Sequence, residues 1–316
     1  MIFRPVSIVP ALLIVFAFAA CNRADSTASA AGPAPAAAPT PAPDSLPRVD
    51  GQRALQFTRD VVGFGPRYIG SPGHAKTEEY LRKELKGDNL QEDSFTASTP
   101  AGSLKMTNFI AKFPGKKEGI IVVSGHYDTL YNRKDFVGAN DGGSSTGLLL
   151  ELARQLRGKK LDGSSVWLVW FDGEEAIRRW TPPDSVYGSK HLAAKWAKDG
   201  TLKKIQAFLL LDMIGDAELN IERDSNSTPW LQDVVYKAAS NLGSQSHFFG
   251  RPNELADDHL PFGQAGVPVV DLIDFNYGPQ NSYWHTAQDT LDKLSAQSLE
   301  IVGSAVLETI HLLNAS

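Results

Sequence analysis

Between residues 119 and 273 short apolar runs recur along the chain, each followed by a cluster of polar residues and then by a stretch with helical spacing. The run Ile120-Ile121-Val122-Val123 predicts a strand over 119–124, and comparable runs predict strands over 103–113, 166–171, 205–212 and 267–273. Helices are predicted over 54–62, 145–156, 186–197, 230–241 and 296–313, and another over 74–85, where Ser71-Pro72-Gly73 supplies a turn and capping groups. Strands that are apolar throughout are covered on both faces. Alternating with helices, they define an α/β chain, a three-layer αβα sandwich around a mostly parallel mixed central sheet.

Upstream of these elements the pattern changes. A basic start, Met1 to Arg4, leads into an almost unbroken apolar run over 8–20 that is too short to span a bilayer comfortably and reads as the core of a signal peptide. It ends in Phe18-Ala19-Ala20-Cys21, where a bacterial lipoprotein signal is cut and lipidated, although Phe18 replaces the usual leucine. Residues 30–43 are Ala and Pro apart from Gly32 and Thr40, a composition that favours an extended, semi-rigid tether. The expected organisation is a signal peptide over 1–20, a lipidated Cys21 with its tether over 21–47, and one catalytic domain over 48–316. That domain would sit outside the cytoplasm in the bacterial cell envelope, attached to the membrane through its lipid.

Composition narrows the partners. With 31 Lys and Arg against 36 Asp and Glu, a net charge of -5 and no basic cluster, the chain lacks the electrostatic footprint of a nucleic-acid binder. Cys21 is the only cysteine, so the mature domain holds no internal disulfide. About 270 residues are enough for one core without such staples. The expected state is a monomer.

In sheets of this class ligands bind beyond the carboxyl ends of the strands. Chemically capable residues gather there: His126 and Asp128 after the first strand of the parallel set, Asp172, Glu174 and Glu175 after the next, then Asp212, then Trp284 and His285. Imidazole and carboxylates without cysteine suit a hydrolytic zinc centre. Each piece alone has an ordinary explanation. His126-Tyr127-Asp128 is more often a structural hydrogen bond, Asp172-Gly173-Glu174-Glu175 a solvated turn, and Asp141 a cap for the helix that follows.

Taken in order, His126, Asp141, Glu174-Glu175, Asp212 and His285 are spaced by 15, 33, 38 and 73 residues. This series resembles the zinc aminopeptidases related to bacterial leucyl aminopeptidase, from about Phe64 to the C-terminus. The resemblance implies one zinc on His126, Asp141 and Asp212, another on Asp141, Glu175 and His285, with Asp141 bridging and Glu174 as general base. Within that superfamily the long stretch from Ala176 to Tyr187, with Trp180 and Asp184-Ser185 before Tyr187-Gly188-Ser189, is similar to the loop of animal-type glutaminyl cyclases. So are Gly65-Pro66-Arg67, Gly70-Ser71-Pro72-Gly73, Asp257-Asp258-His259, Gly266-Val267-Pro268-Val269 and Trp284-His285-Thr286. Ala256, Asp271 and Gly142 depart from the cyclase pattern, which tends to have Gln, His and Ser there.

The cyclase resemblance implies a peptide or protein N-terminus as substrate. It implies one zinc on Asp141, Glu175 and His285, proton transfer by Glu174, a steadying role for Asp212 and Asp257, and pocket walls of Trp180 and Trp284, with His126 behind the metal. The aminopeptidase alternative implies two zincs and attack by water. A metal-free binding module, the third alternative, is disfavoured by the intact ligand set and Glu174. His259 is expected to be a structural partner of nearby carboxylates, and His74, His191, His247 and His311 to be surface or packing residues.

Overall fold

The computed structural model describes residues 46–315; the expected signal peptide, Cys21 and nearly all of the tether lie outside them. The helices are α1 (Gly51–Val62), α2 (Pro72–Glu84), α3 (Gly143–Leu156), α4 (Tyr187–Asp199), α5 (Pro229–Asn241), α6 (Leu260–Gln264) and α7 (Ala296–Ala315). Their strands are β1 (Leu90–Thr99), β2 (Gly102–Phe113), β3 (Ile120–His126), β4 (Ser165–Phe171), β5 (Ile205–Asp212), β6 (Ile221–Asp224), β7 (Phe248–Asn253) and β8 (Val269–Ile273).

Six strands form the central sheet in the order β1-β2-β4-β3-β5-β8. The four from β4 to β8 are parallel, and the β1-β2 hairpin adds two antiparallel strands at one edge. Alternate residues of the apolar strands serve opposite faces, as strand geometry requires. Ile121, Val123, Leu168, Trp170, Leu209 and Leu211 pack with α1, α3, α5 and α7, whereas Val122, Val169, Phe171, Phe208 and Leu210 pack with Leu192 and Trp196 of α4 and Phe262 of α6. This is the expected three-layer sandwich.

Register sets the site. His126 pairs with Phe171 across β3 and β4, and Asp212 with Ile273 across β5 and β8, so the parallel strands end nearly level. The chain passes from β3 to β4 on one side and then crosses back to β5 on the other, which makes the end of β3 a switch point where the flanking loops diverge. β1, the β6-β7 pair and α6 were not expected from the sequence. Among the described residues no helix is long and apolar enough to cross a membrane.

Candidate active site

β3 ends on His126 and β5 on Asp212, while the turn after β4 carries Glu174 and Glu175. Asp141 comes from the β3–α3 loop and His285 from the loop after β8. Gly142 turns the first of these loops, with φ of +74° and a position where a Cβ would stand 2.7 Å from the Asp128 carbonyl oxygen. It also occupies the N-cap of α3, so Asp141 is not the cap. His285 itself has φ of +54°, a costly backbone state for a non-glycine residue and one that recurs at functional sites.

Three residues without an assigned role in the sequence hold these loops. Arg67, fully buried, donates to the carbonyl oxygens of Tyr127, Val137, Gly138 and Asp141. Asp289 accepts from the backbone N–H groups of Asn140 at 2.7 Å and Asp141 at 3.1 Å. Asp128 accepts from those of Glu174 at 3.1 Å and Glu175 at 3.3 Å. Arg67 and Asp128 sit in motifs visible in the sequence; nothing in the spacing points to Asp289.

Two acidic groups meet at Asp141. Its Oδ1 lies 3.2 Å from His126 Nε2, which is 3.3 Å from Asp212 Oδ1. Its Oδ2 lies 3.3 Å from His285 Nε2, which is 3.5 Å from Glu175 Oε2. A tetrahedral zinc with arms of about 2.0 Å separates its ligand atoms by about 3.3 Å, so both groups have the spacing of a metal shell. Their hydrogen bonding differs. Of the atoms that would face an ion, His126 Nε2 and Asp212 Oδ1 are within hydrogen-bonding distance of each other, whereas Asp141 Oδ2 and both carboxylate oxygens of Glu175 are buried without a partner; His126 Nδ1, the other ring nitrogen, also lacks one. Buried carboxylate oxygens need a donor or a cation, so the residues fit a metal.

Burial holds Glu174 well above the usual carboxylate range, and the negative charges of Asp257, Glu175 and Asp258 push the same way against the opposing pull of His126. Burial, with Asp212 nearby, raises Asp257 to about 6. Burial also raises Glu175, with Asp141 adding to it. A carboxyl group raised toward neutrality can both take and give a proton.

These groups form the floor of a cavity of about 530 Å³. Ile273, Phe275 and Trp284 form an apolar wall, with Trp284 stacked on His285 at 4.0 Å and tilted on Phe275 at 4.9 Å. Trp180 also lines the cavity, at its mouth, where it is 43% exposed. Its loop is pinned by Asp184, whose carboxylate accepts from the backbone N–H groups of Ile177, Arg178 and Arg179 and from the Tyr187 hydroxyl.

The other candidates lie outside the two groups that share Asp141. Asp172 points at the hairpin, bonding His74 Nε2 at 2.9 Å and accepting from the Thr107 N–H at 2.8 Å. His259 lies fully buried between Asp224 at 3.2 Å and Asp271 at 3.7 Å, and these three side chains also have ligand spacing, with both ring nitrogens of His259 and both oxygens of Asp271 lacking a hydrogen-bond partner. His74 is a buried packing residue stacked on Tyr127, His191 stacks on Phe95, His247 faces the Leu219 carbonyl, and His311 is exposed.

A mixed sheet carrying histidine and carboxylate metal groups at its strand ends defines a zinc-peptidase-like class, and residues 108–310 match peptidase family M28. The chain is 31% identical over 268 residues to the glutaminyl-peptide cyclotransferase of Drosophila melanogaster, covering 75% of each chain. It superimposes on the crystal structure of an Acidobacteriales bacterium glutaminyl cyclase with a TM-score of 0.84 at 52% identity, covering 88% of this chain and 99% of that one. For the glutaminyl cyclase of Porphyromonas gingivalis the TM-score is 0.76 at 28% identity, covering 84% and 98%. The chain belongs to the glutaminyl-peptide cyclotransferases of peptidase family M28, as the residues around Trp180 and Asp257 suggested.

Proposed function

We propose that this protein is a glutaminyl-peptide cyclotransferase that closes an N-terminal glutamine to pyroglutamate and releases ammonia, with one zinc ion held by Asp141, Glu175 and His285. The observation that carries the one-zinc reading is the contrast in hydrogen bonding. The three oxygens that would face a cation in this group have no hydrogen-bond partner, whereas the two atoms that would face a second ion, His126 Nε2 and Asp212 Oδ1, lie within hydrogen-bonding distance of each other. A bound zinc would supply a Lewis acid for the side-chain amide oxygen of the substrate.

The chain's own residues do the rest. The α-amine of the glutamine attacks its side-chain carbonyl carbon, forming the new C–N bond. Glu174, raised by burial, takes a proton from that amine and gives it to the departing amide nitrogen, which leaves as ammonia as the old C–N bond breaks. Asp257 and Asp212 lie where they can hold the amine and the leaving group by hydrogen bonds. The apolar wall of Ile273, Phe275 and Trp284 favours cyclisation over hydrolysis because it offers an attacking water no hydrogen-bond partner.

Both metal groups and the acid-base carboxylates come from one chain, which supports action as a monomer. The sequence at Cys21 and the Ala/Pro tether support a lipid-anchored enzyme of the bacterial cell envelope. Replacing Cys21 with Ser should then move the protein from the membrane fraction to the soluble one.

The decisive test pairs a glutaminyl peptide, followed by ammonia release, with a leucyl amide, followed by leucine release, alongside elemental analysis of zinc per chain. Ammonia with one zinc supports the proposal. Leucine without ammonia would make the protein an aminopeptidase, and ammonia with two zincs would overturn the one-zinc assignment.

A further inference from the structure

Cyclisation needs only one glutamine residue, yet the cavity, at about 530 Å³, is in the range that holds drug-sized ligands. Its floor and mouth differ in charge. The floor carries buried carboxylates for the reacting end, whereas Arg178 and Arg179 are exposed residues of the lining and place two positive charges at the mouth. Both side chains are exposed, and neither has an ion-pair partner among the described residues. A peptide whose first residue occupies the floor must carry its next residues out past this mouth, since each residue advances the chain by roughly 3.3–3.6 Å at most.

The two arginines are not placed at random on a mobile loop. The Asp184 carboxylate accepts from the backbone N–H of Arg178 and from that of Arg179, each at 3.0 Å, and from Ile177 at 3.0 Å. Backbone bonds and the Tyr187 hydroxyl hold Asp184 below the usual carboxylate range despite burial, so this clamp stays charged at neutral pH. Two cationic side chains thus start from a fixed backbone, which lowers the ordering cost of engaging a ligand. Glu254 also lines the cavity and is exposed, one negative charge against two positive ones.

We propose that Arg178 and Arg179 determine substrate specificity, selecting peptides with an acidic residue at the second or third position after an N-terminal glutamine. This rests on the cyclotransferase reading above. Carboxylates there would form bidentate bonds with guanidinium groups, and lysines would be repelled.

The test measures kcat/KM by ammonia release for Gln-Glu-Glu-Ala, Gln-Ala-Ala-Ala and Gln-Lys-Lys-Ala at low ionic strength. The wild type should rank them in that order, with about fivefold or more between the first and last, a modest ratio because the pairs are solvent-exposed. The spread should shrink at about 1 M salt, where the Debye length is about 3 Å. Arg178→Gln with Arg179→Gln should bring the acidic and basic peptides close together, and Arg178→Glu with Arg179→Glu should invert the order, with zinc content retained as the folding control. Equal rates on all three peptides, an order unchanged by the variants, or a wild-type preference for lysine, which would assign the mouth to Glu254, would each overturn the proposal. Ammonia from none of the peptides would instead overturn the cyclotransferase reading itself.

Discussion

Asp289 holds Asp141 by its main chain: one carboxylate oxygen accepts from the Asp141 N–H at 3.1 Å while the other accepts from the Asn140 N–H at 2.7 Å. The Tyr277 hydroxyl donates to the same carboxylate at 2.9 Å, so the support is anchored in turn. Asp141 is the residue shared by both metal groups, and a small rotation of its backbone would move both of its oxygens. Asp289→Ala is expected to weaken zinc binding by about 10- to 100-fold, the usual cost of losing support behind a ligand, without removing a ligand. Zinc competition against a chelator measures this. Affinity unchanged from wild type would show that Arg67 alone fixes the loop.

Glu174 and Glu175 are adjacent in sequence, and Asp128 holds the N–H of each, but their side chains have separate tasks. Glu174→Gln should retain zinc and lose on the order of 10²-fold or more in kcat, because it removes the proton carrier. Glu175→Gln should lose zinc, because it replaces an anionic ligand whose two oxygens are buried without another partner. Rate and metal content measured on both variants separate the roles. Exchanged phenotypes would mean that the two have been assigned one position out of register.

The legible parts of this molecule are those where the physics is local. β3, β4, β5 and β8 announce themselves because strands covered on both faces must be apolar throughout, and their ends locate His126 and Asp212. β1 escaped because it is an edge strand, mostly exposed or half-buried, whose Gln91, Glu92 and Asp93 read as a loop until β2 pairs with it. Asp289 escaped for a different reason. It acts through backbone N–H groups more than a hundred residues away, and such bonds leave no trace in residue type or spacing. Trp180 could be singled out only through resemblance, since an isolated aromatic in a loop says nothing of the cavity it borders.

Asp274, just after β8, gives a pH dependence away from the metal groups. One of its oxygens accepts from the Asn220 N–H, the other is buried without a partner, and burial with Asp216 and Glu222 nearby raises the group to about 7. The folded state therefore binds this proton more tightly than the unfolded chain does. Stability from this group is full below about pH 4 and declines as pH rises through about 7. Asp274→Asn keeps an acceptor for Asn220 without a charge, so it should stabilise the protein at pH 8 more than at pH 5, by up to a few kcal/mol. Urea unfolding of both proteins at the two pH values tests this. An equal difference at both would remove Asp274 as the source.

The two tryptophans at the cavity should fail in different ways when truncated. Trp284 stacks on the ring of His285, which is held in a left-handed backbone conformation, so its loss frees a metal ligand as well as opening the wall. Trp284→Ala is therefore expected to lower both zinc affinity and kcat/KM. Trp180 makes no ring contact with His285 and is 43% exposed, so its contribution is packing against the substrate from the mouth. Burying the remaining ring surface is worth about 2 kcal/mol, and Trp180→Ala should cost about 30-fold in kcat/KM on a glutaminyl peptide with zinc content intact. A loss of zinc in Trp180→Ala would place that side chain against the metal groups instead of at the rim. Unaltered zinc affinity in Trp284→Ala would mean that the backbone alone orients His285.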